Sequence, residues 1–574
     1  MRTAGASLIA LTSLLAACGG GGDGGITNPP PGGEPVAAVV VTPAEATVGV
    51  DEQVELTTET RAGDGTVLAG RAVTWASSDE AVATVDPTNG ARTVVTGLAE
   101  GTATITATSE GRRGAAEISV QRLVGFQLAV APSVDTVVIG QAVQFRAEVR
   151  ELDGTPVPET FTWSAKDQDP AAVVAEVDPA TGVVTGLAAG EAVIVATPAA
   201  RGGTGSARVL VLAFEQVSAG RRHTCGVTTA GAAYCWGDNE QDQLGDGTTI
   251  PQRIRPRPVA GGLSFEAVSA GAEHTCGVAT GGAAYCWGRN EIGWLGDGTT
   301  TDRPAPTAVS DNHSFAMVDA GTTHTCGVSR SGIGYCWGEN RWGQLGDGTT
   351  NNHSAPVAVA TASPPPLALD FVQIGVGPAH TCAVSPRGAA SCWGRNDLGE
   401  LGDGTTLTRL TPAAVAPPMG QSTPLAFTAL SLGNLHTCGL TGSGVIYCWG
   451  SNTSGQLGDG TTVNRPRPAP VQALVSFVAT AAGATHACGL GPTGRAYCWG
   501  SNHLGELGDG TTTSRTTPVA VSGDLSFTSL TAGSGHTCGV TADGRAYCWG
   551  SNSGAKLGTG TGDDSLVPVA VVSP

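Results

Sequence analysis

The sequence predicts an all-β protein: a seven-bladed β-propeller preceded by two β-sandwiches. Three observations carry this. Glycine is abundant (85 of 574 residues), aromatics make up only 5%, and no long stretch keeps a helical period, which is the pattern of many short strands joined by turns. From Phe214 onward one unit recurs seven times at intervals of 50 to 56 residues, the mark of a ring or solenoid of equivalent modules. Each unit holds about four strand-like segments, enough for one propeller blade.

Length and charge set the outer bounds. A chain of 574 residues is too long for one hydrophobic core and divides into domains. The formal net charge of −19 argues against nucleic acid, whose recognition needs a basic stripe. Lys166 and Lys556 are the only lysines, so a polybasic patch for anionic lipid is missing as well.

The first residues read as an address. Arg2 is followed by an apolar run from Ala6 to Ala17, too short to span a bilayer as a mature helix. It closes in Leu15-Ala16-Ala17-Cys18, which resembles the lipobox of bacterial lipoproteins. The resemblance implies a signal peptide over 1–17, acylation of Cys18, and attachment to the membrane through that lipid alone. Gly19 in place of Asp implies, by the same family's sorting rule, the outer membrane or cell surface. Residues 18–34 then form a tether, flexible in its Gly part and stiffer at Pro29–Pro31.

Two copies of one module follow, at 35–121 and 122–212. The first carries VTWASSDEAVATVD and VTGLAEGTATITATS; the second carries FTWSAKDQDPAAVVAEVD and VTGLAAGEAVIVAT. Alternating runs such as Thr102–Thr106 suit half-buried strands, and each copy has the length of a β-sandwich. These motifs resemble the bacterial immunoglobulin-like domains of surface adhesins. Neither copy contains cysteine, so Trp75 and Trp163 are expected to anchor the cores without a disulfide. A spacer role is preferred to adhesion, because a fold by itself confers no function.

Residues 213–574 hold the repeat. Each unit opens with Phe, continues G-x-x-H-[TA]-C, and after nine residues reads C-W-G-x-N and then L-G-D-G-T-T. This resembles the regulator-of-chromosome-condensation repeat, a seven-bladed propeller family. Nucleotide exchange on a small GTPase, known for the eukaryotic namesake, is not expected of an exported protein. The paired cysteines are an addition to the general repeat. The sixth unit departs at Thr480, and the seventh reads Gly558-Thr559-Gly560. A strand-like PVAVV at Pro568–Val572 is expected to meet the segment around Val209–Phe214 and seal the ring.

Cysteine register follows from the turn. A glycine lies six residues after the first cysteine of every unit, as Gly231 does after Cys225, which suits a three-residue hairpin loop closed by a left-handed Gly. Counting outward sets Cys225 across from Cys235, Gly226 across from Tyr234 with space for its ring, and Thr224 across from Trp236. Seven disulfides are expected: Cys225–Cys235, Cys276–Cys286, Cys326–Cys336, Cys382–Cys392, Cys438–Cys448, Cys488–Cys498 and Cys538–Cys548. Zinc would need a fourth ligand and C-x-x-C spacing is absent, so no metal or other cofactor is expected. The seven repeat histidines are read as structural, each bonding a neighbouring turn. Asp246 and its equivalents are read as caps of their own turns, lacking calcium-loop spacing.

Function should lie in what does not repeat. Trp294 and Trp342 stand out in adjacent blades, with Arg253, Arg255, Arg257 and Arg341, along with Arg221 and Arg222, in the first three units. Trp and Arg dominate binding hot spots, and loops on a rigid scaffold carry recognition. The longer inter-blade segments Asn351–Asp370 and Leu407–Ala426 add candidate surface. Outside the repeat, His313, His353 and His503 are dispersed with no partner motif, so no catalytic centre is expected. The reading is a monomeric, non-catalytic binding protein whose partner is a protein or glycan at the cell surface. The alternatives are a polysaccharide-active enzyme, or an inhibitor resembling the secreted β-lactamase-inhibitory propellers.

Overall fold

A computed structural model describes residues 34–121, 126–152, 154–167, 173–360 and 370–574. Cys18 with the signal and tether, and 361–369 of the third inter-blade segment, lie outside the described residues. The chain forms two compact units, one built on the residues up to 127 with 151–155, the other on 128–150 with 156–574.

The first unit is a sandwich of two four-stranded sheets. Glu45–Gly49 pairs parallel with Arg112–Gln121, and Gly101–Ser109 pairs antiparallel with both Arg112–Gln121 and Thr74–Ser77. Alternation puts Ala103, Ile105 and Ala107 inward with Leu56, Ile118 and Trp75. The indole Nε1 of Trp75 donates to the Gly90 carbonyl at 2.8 Å, so the ring is both apolar anchor and satisfied donor.

The second unit begins with the second sandwich. Val134–Val138 lies parallel to Gly205–Leu212, which pairs antiparallel with Gly190–Pro198, itself antiparallel to Phe161–Asp167. Phe145 and Trp163 sit in its core with Ile194 and Val209. As expected, each tryptophan anchors a core without a disulfide.

Seven four-stranded antiparallel sheets follow. Blade 1 is built of Phe214–Ala219, His223–Thr228, Ala233–Asp238 and Gln252–Pro258. The same order repeats in blades 2 to 7, which span 265–308, 315–358, 373–414, 427–470, 479–520 and 527–570. First strands of neighbouring blades pack on one another around an axis, the seventh on the first. Strand directions separate two faces. The loops before the second strand and after the third emerge on one, called the upper face here. The tight hairpins between second and third strands emerge on the lower face, where the chain enters from the second sandwich.

The hairpin register holds in all seven blades. Cys225 pairs with Cys235, Gly226 with Tyr234 and Thr224 with Trp236. Gly231 has φ 81°, and its six equivalents are also left-handed. All seven disulfides form, with Cα–Cα separations of 4.0–4.1 Å, the close spacing of non-hydrogen-bonded pairs. One detail is corrected. The space left at Gly226 serves Phe214 of the same blade, because an added Cβ would lie 2.7 Å from that ring. Blade 4 carries Ala383 there, and its Phe371 lies at 27° to Trp393 while other blades hold this pair at 41–60°.

The closure is made by packing and not by strand pairing: Val571 of the Pro568–Val572 segment meets Leu212 and Phe214 in one apolar cluster, as expected. Ser565–Ala570 pairs with the third strand of its own blade, so every blade is built of contiguous chain and no strand crosses from blade 7 to blade 1.

Candidate binding face and axial channel

The repeat motif's polar residues join blades rather than form a reactive centre. Each repeat histidine is buried, and in six of the seven the Nε2 meets the hydroxyl of the threonine after the next blade's histidine: His223 to Thr275 at 2.7 Å, His274 to Thr325 at 2.9 Å, and so on to His536 and Thr224 at 2.9 Å. Thr275 spends its own proton on the Gln243 carbonyl at 2.8 Å. The imidazole must therefore donate, which sets the Nε2–H tautomer. The same carbonyl accepts the indole N–H of Trp287 at 3.0 Å, and six other blade junctions repeat that tryptophan bond. The histidines are structural, as expected, but they reach the neighbouring blade and not a neighbouring turn.

One link is missing. Blade 6 has Ala487 in place of threonine, and both nitrogens of His436 lack a partner. Ala487→Thr should restore the bond and stabilise the ring by about 1 kcal/mol, since a buried unpaired donor regains an acceptor. A urea midpoint at or below that of the parent would show the site cannot take the hydroxyl.

Asp246 caps its own turn, accepting the Thr248 backbone N–H at 3.0 Å. It also pairs with Arg253 at 2.7 Å, and this pair recurs as Asp297–Arg303, Asp347–His353, Asp403–Arg409, Asp459–Arg465 and Asp509–Arg515. Blade 7 has Thr559 and Ser565 and loses both partners together. Burial works against ionisation of Asp297, Asp403, Asp459 and Asp509, yet their Thr and Arg partners hold each carboxyl below its ordinary value. Arg253 and His353 are thus repeat elements. Aligning the residue six or seven after each Asp reveals the arginine from sequence.

The axial channel has two chambers. The upper, about 390 Å³, is rimmed by Gly220, Gly271 and their equivalents with Arg221, Thr322 and Asn434. The lower, about 450 Å³, is lined by side chains of the first strands. They meet at a collar of five alanines with Val376 and Leu432. Below it, hydroxyls cap the exposed N–H groups of the next blade's inner edge: Ser218 accepts from Ala270 at 3.0 Å, Ser269 from Ala320 at 3.0 Å, and Thr531 from Ala219 at 3.1 Å. Asp319 fills this role in blade 3, accepting from Ser269 Oγ and Val376 N at 2.8 Å each; burial raises its carboxyl above the ordinary value. Ser431 adds a fifth cap, accepting from Ala482 at 2.8 Å, while Gly375 and Ala481 stand at this position in blades 4 and 6 and supply none.

The non-repeating residues scatter more than expected. Trp294 is buried, at 5% exposure. It occupies the place of Gln243, Gln344, Glu400, Gln456, Glu506 and Lys556, lies 5.7 Å from the His274 ring and sits beneath the Arg289 guanidinium at 5.4 Å. It is therefore a packing residue, and the expectation of an exposed contact is corrected. Arg222 pairs with Asp238 at 2.7 Å, and Arg255 donates to the Ser573 carbonyl at 3.1 Å. Arg255 and Arg257 are exposed on the outer strand of blade 1, two blades from Trp342. His313 stacks on Tyr335 at 4.0 Å, and His503 is exposed.

Trp342 remains. It is half-buried on the upper face, between Arg341 at 5.1 Å and Arg395 at 5.5 Å. Arg395 of blade 4, paired with Asp397 at 2.7 Å, and Arg289 of blade 2 were not singled out from the sequence. Each stands where other blades place Asp, Glu or Ser, and that comparison would have found them. The charge is lopsided. At this rim position and the one two residues on, blades 1 to 4 carry Asp238, Glu240, Arg289, Glu291, Glu339, Arg341, Arg395 and Asp397. Blades 5 to 7 carry only Ser451, Thr453, Ser501, His503, Ser551 and Ser553. Among the described residues Arg341 has no carboxylate within ion-pair distance, and no cluster of His, Cys, Asp or Glu suited to a metal occurs.

Comparison with known proteins agrees with this architecture. Residues 35–120 and 127–209 match the bacterial Ig-like domain (group 2). The regulator of chromosome condensation (RCC1) repeat matches 230–278, 281–328, 331–384, 443–490, 493–540 and 543–574, and a second signature of that repeat adds 214–243 and 427–456. Among relatives, the ultraviolet-B receptor UVR8 of Arabidopsis thaliana is 29% identical over 266 residues, 46% of this chain and 58% of the receptor. The human probable E3 ubiquitin-protein ligase HERC4 is 30% identical over 260 residues, 45% of this chain and only 19% of the ligase. The chain thus spans less than two thirds of either. Yeast RCC1 (Prp20), solved with Kap60, superposes with TM-score 0.52 at 23% identity over 59% of this chain and 83% of that one. Human WBSCR16 gives 0.51 at 19% over 67% and 100%. With its seven inter-bonded blades, the chain belongs to the RCC1-repeat family, joined here to two bacterial Ig-like domains.

Proposed function

We propose that this protein is a non-catalytic binding protein of the cell envelope. It is anchored by lipid on Cys18 and docks a protein through the upper face of blades 2 to 4 around Trp342. The observation that carries the reading is Trp342 itself, a half-exposed indole between Arg341 and Arg395 on the charged, non-repeating part of the upper rim. Aromatic–arginine clusters on rigid scaffolds are the usual anchors of interfaces. The second Ig-like domain meets the propeller at the lower face, opposite Trp342. The relatives lend the same direction: a yeast RCC1 has been solved bound to Kap60, and Prp20p is described by its binding to Gsp1p and histones. Those partners stay with those proteins; what is carried over is recognition of protein by a propeller. Ligase activity is not carried over, because the match covers so little of HERC4.

The test compares envelope proteins retained by the immobilised full chain and by its Trp342→Ala and Arg341→Glu variants. Retention of the specific partner should fall at least tenfold in each, as expected of a hot-spot residue, with thermal midpoints within about 2 °C of the parent. A set of retained proteins unchanged in both variants would exclude this face.

A further inference from the structure

At six junctions the chain itself runs from one blade into the next. At the junction of blade 7 with blade 1 it does not, and no strand is exchanged there. The contacts that cross it are the same ones found elsewhere in the ring: His536 to Thr224, Trp236 Nε1 to the Lys556 carbonyl at 3.0 Å, and Ala219 N to Thr531 Oγ at 3.1 Å. By itself this seam is the weakest joint, lacking the covalent link the others have.

We infer that the second Ig-like domain is the clasp that shuts the ring. It is covalently continuous with blade 1 through Leu212–Phe214, and it also grips the segment following the last strand of blade 7. The Gln141 side-chain oxygen accepts from both the backbone N and the hydroxyl of Ser573, at 2.9 Å each. The Ser573 hydroxyl in turn accepts the Val138 N–H at 3.1 Å. Beneath these bonds Val138 and Leu212 of the sandwich pack with Val571 and Val540 of blade 7 and Phe214 of blade 1 in one apolar cluster. A domain tied to both sides of a seam stands in for the missing chain, because opening the seam must first break its contacts on the blade 7 side. This role is independent of what the upper face binds. It makes the second Ig-like domain a structural part of the propeller.

Native-state hydrogen exchange on the full chain tests the clasp. Gln141→Ala should raise exchange at least tenfold in the inner strands beside the seam, Phe214–Ala219 and Phe527–Ala532, while Phe427–Leu432, across the ring, keeps its parent rate. Gln141→Glu, which retains an acceptor for Ser573, should stay within about threefold of the parent. Unchanged exchange at the seam in Gln141→Ala, or equal acceleration in every blade, overturns the inference. Exchange in Gln141→Glu as fast as in the alanine variant does so as well, because the Ser573 bonds would then not be what holds the seam.

Discussion

Acidification should unfold the propeller steeply, with stability falling from about pH 6.5 downward. Burial lowers five of the repeat histidines to about 3, His486 to about 4, and His536 well below its ordinary value. An unfolded chain takes up these protons near pH 6.5 and the folded ring does not. The unfolded state therefore binds more protons across the window between about 6.5 and 3, so stability rises with pH there and is lost as pH falls. With seven sites acting together the slope approaches roughly 10 kcal/mol per pH unit at its steepest. Asp297, Asp403, Asp459 and Asp509, whose carboxyls are lowered, act in the same direction below about pH 4, while Asp319, whose carboxyl is raised, acts weakly the other way. Urea titrations at pH 7, 6, 5 and 4 give the slope directly. His436→Gln, at the junction already lacking its threonine, should reduce it by one proton. A stability flat between pH 6.5 and 5 would mean the ring admits water to its histidines.

The second large effect concerns the disulfides. All fourteen sulfurs are inaccessible in the folded ring, so a thiol reagent with mild reductant should label none of them until denaturant is added. Each bridge closes a loop of about ten residues, for which the chain-entropy account gives about 2–3 kcal/mol. Seven together amount to roughly 15–20 kcal/mol, comparable to the whole stability expected of a domain. Reduced in denaturant and diluted into reducing buffer, the propeller should fail to regain its native hydrogen-exchange protection. The two Ig-like domains contain no cysteine in their 35–212 span and should refold regardless. Recovery of the reduced propeller to the parent midpoint would show that inter-blade packing suffices without the bridges.

These two predictions draw on different levels of the molecule. The bridges were legible from a glycine six residues past a cysteine, because hairpin register is local: turn length sets which residues face each other. The role of the histidines was only half legible. That each is buried follows from its periodicity, but the partner, where there is one, is a threonine some fifty residues away in the next blade, which no spacing within a unit reveals. Arg253 belongs to the repeat: its equivalents Arg303, Arg409, Arg465 and Arg515 recur in the sequence and mark an ion pair of the fold. Trp294 shows the opposite failure. Its departure from the repeat is real, yet a residue replacing glutamine can turn inward, and there the His274 ring and Arg289 cover it.

Blade count, hairpin register, the seven disulfides and the two cysteine-free sandwiches were legible in the sequence, because each rests on a repeat period of 50 to 56 residues or on a turn set within some fifteen. The tertiary structure decided which exceptional residues reach solvent, leaving Trp342 between two arginines on one face. It also decided how the ring shuts, through an Ig-like domain and not an exchanged strand. Both depend on how side chains pack in three dimensions: five and twenty residues away for Trp294, over fifty for Arg395 on Trp342, and hundreds at the seam, where neither periodicity nor local propensity constrains the outcome.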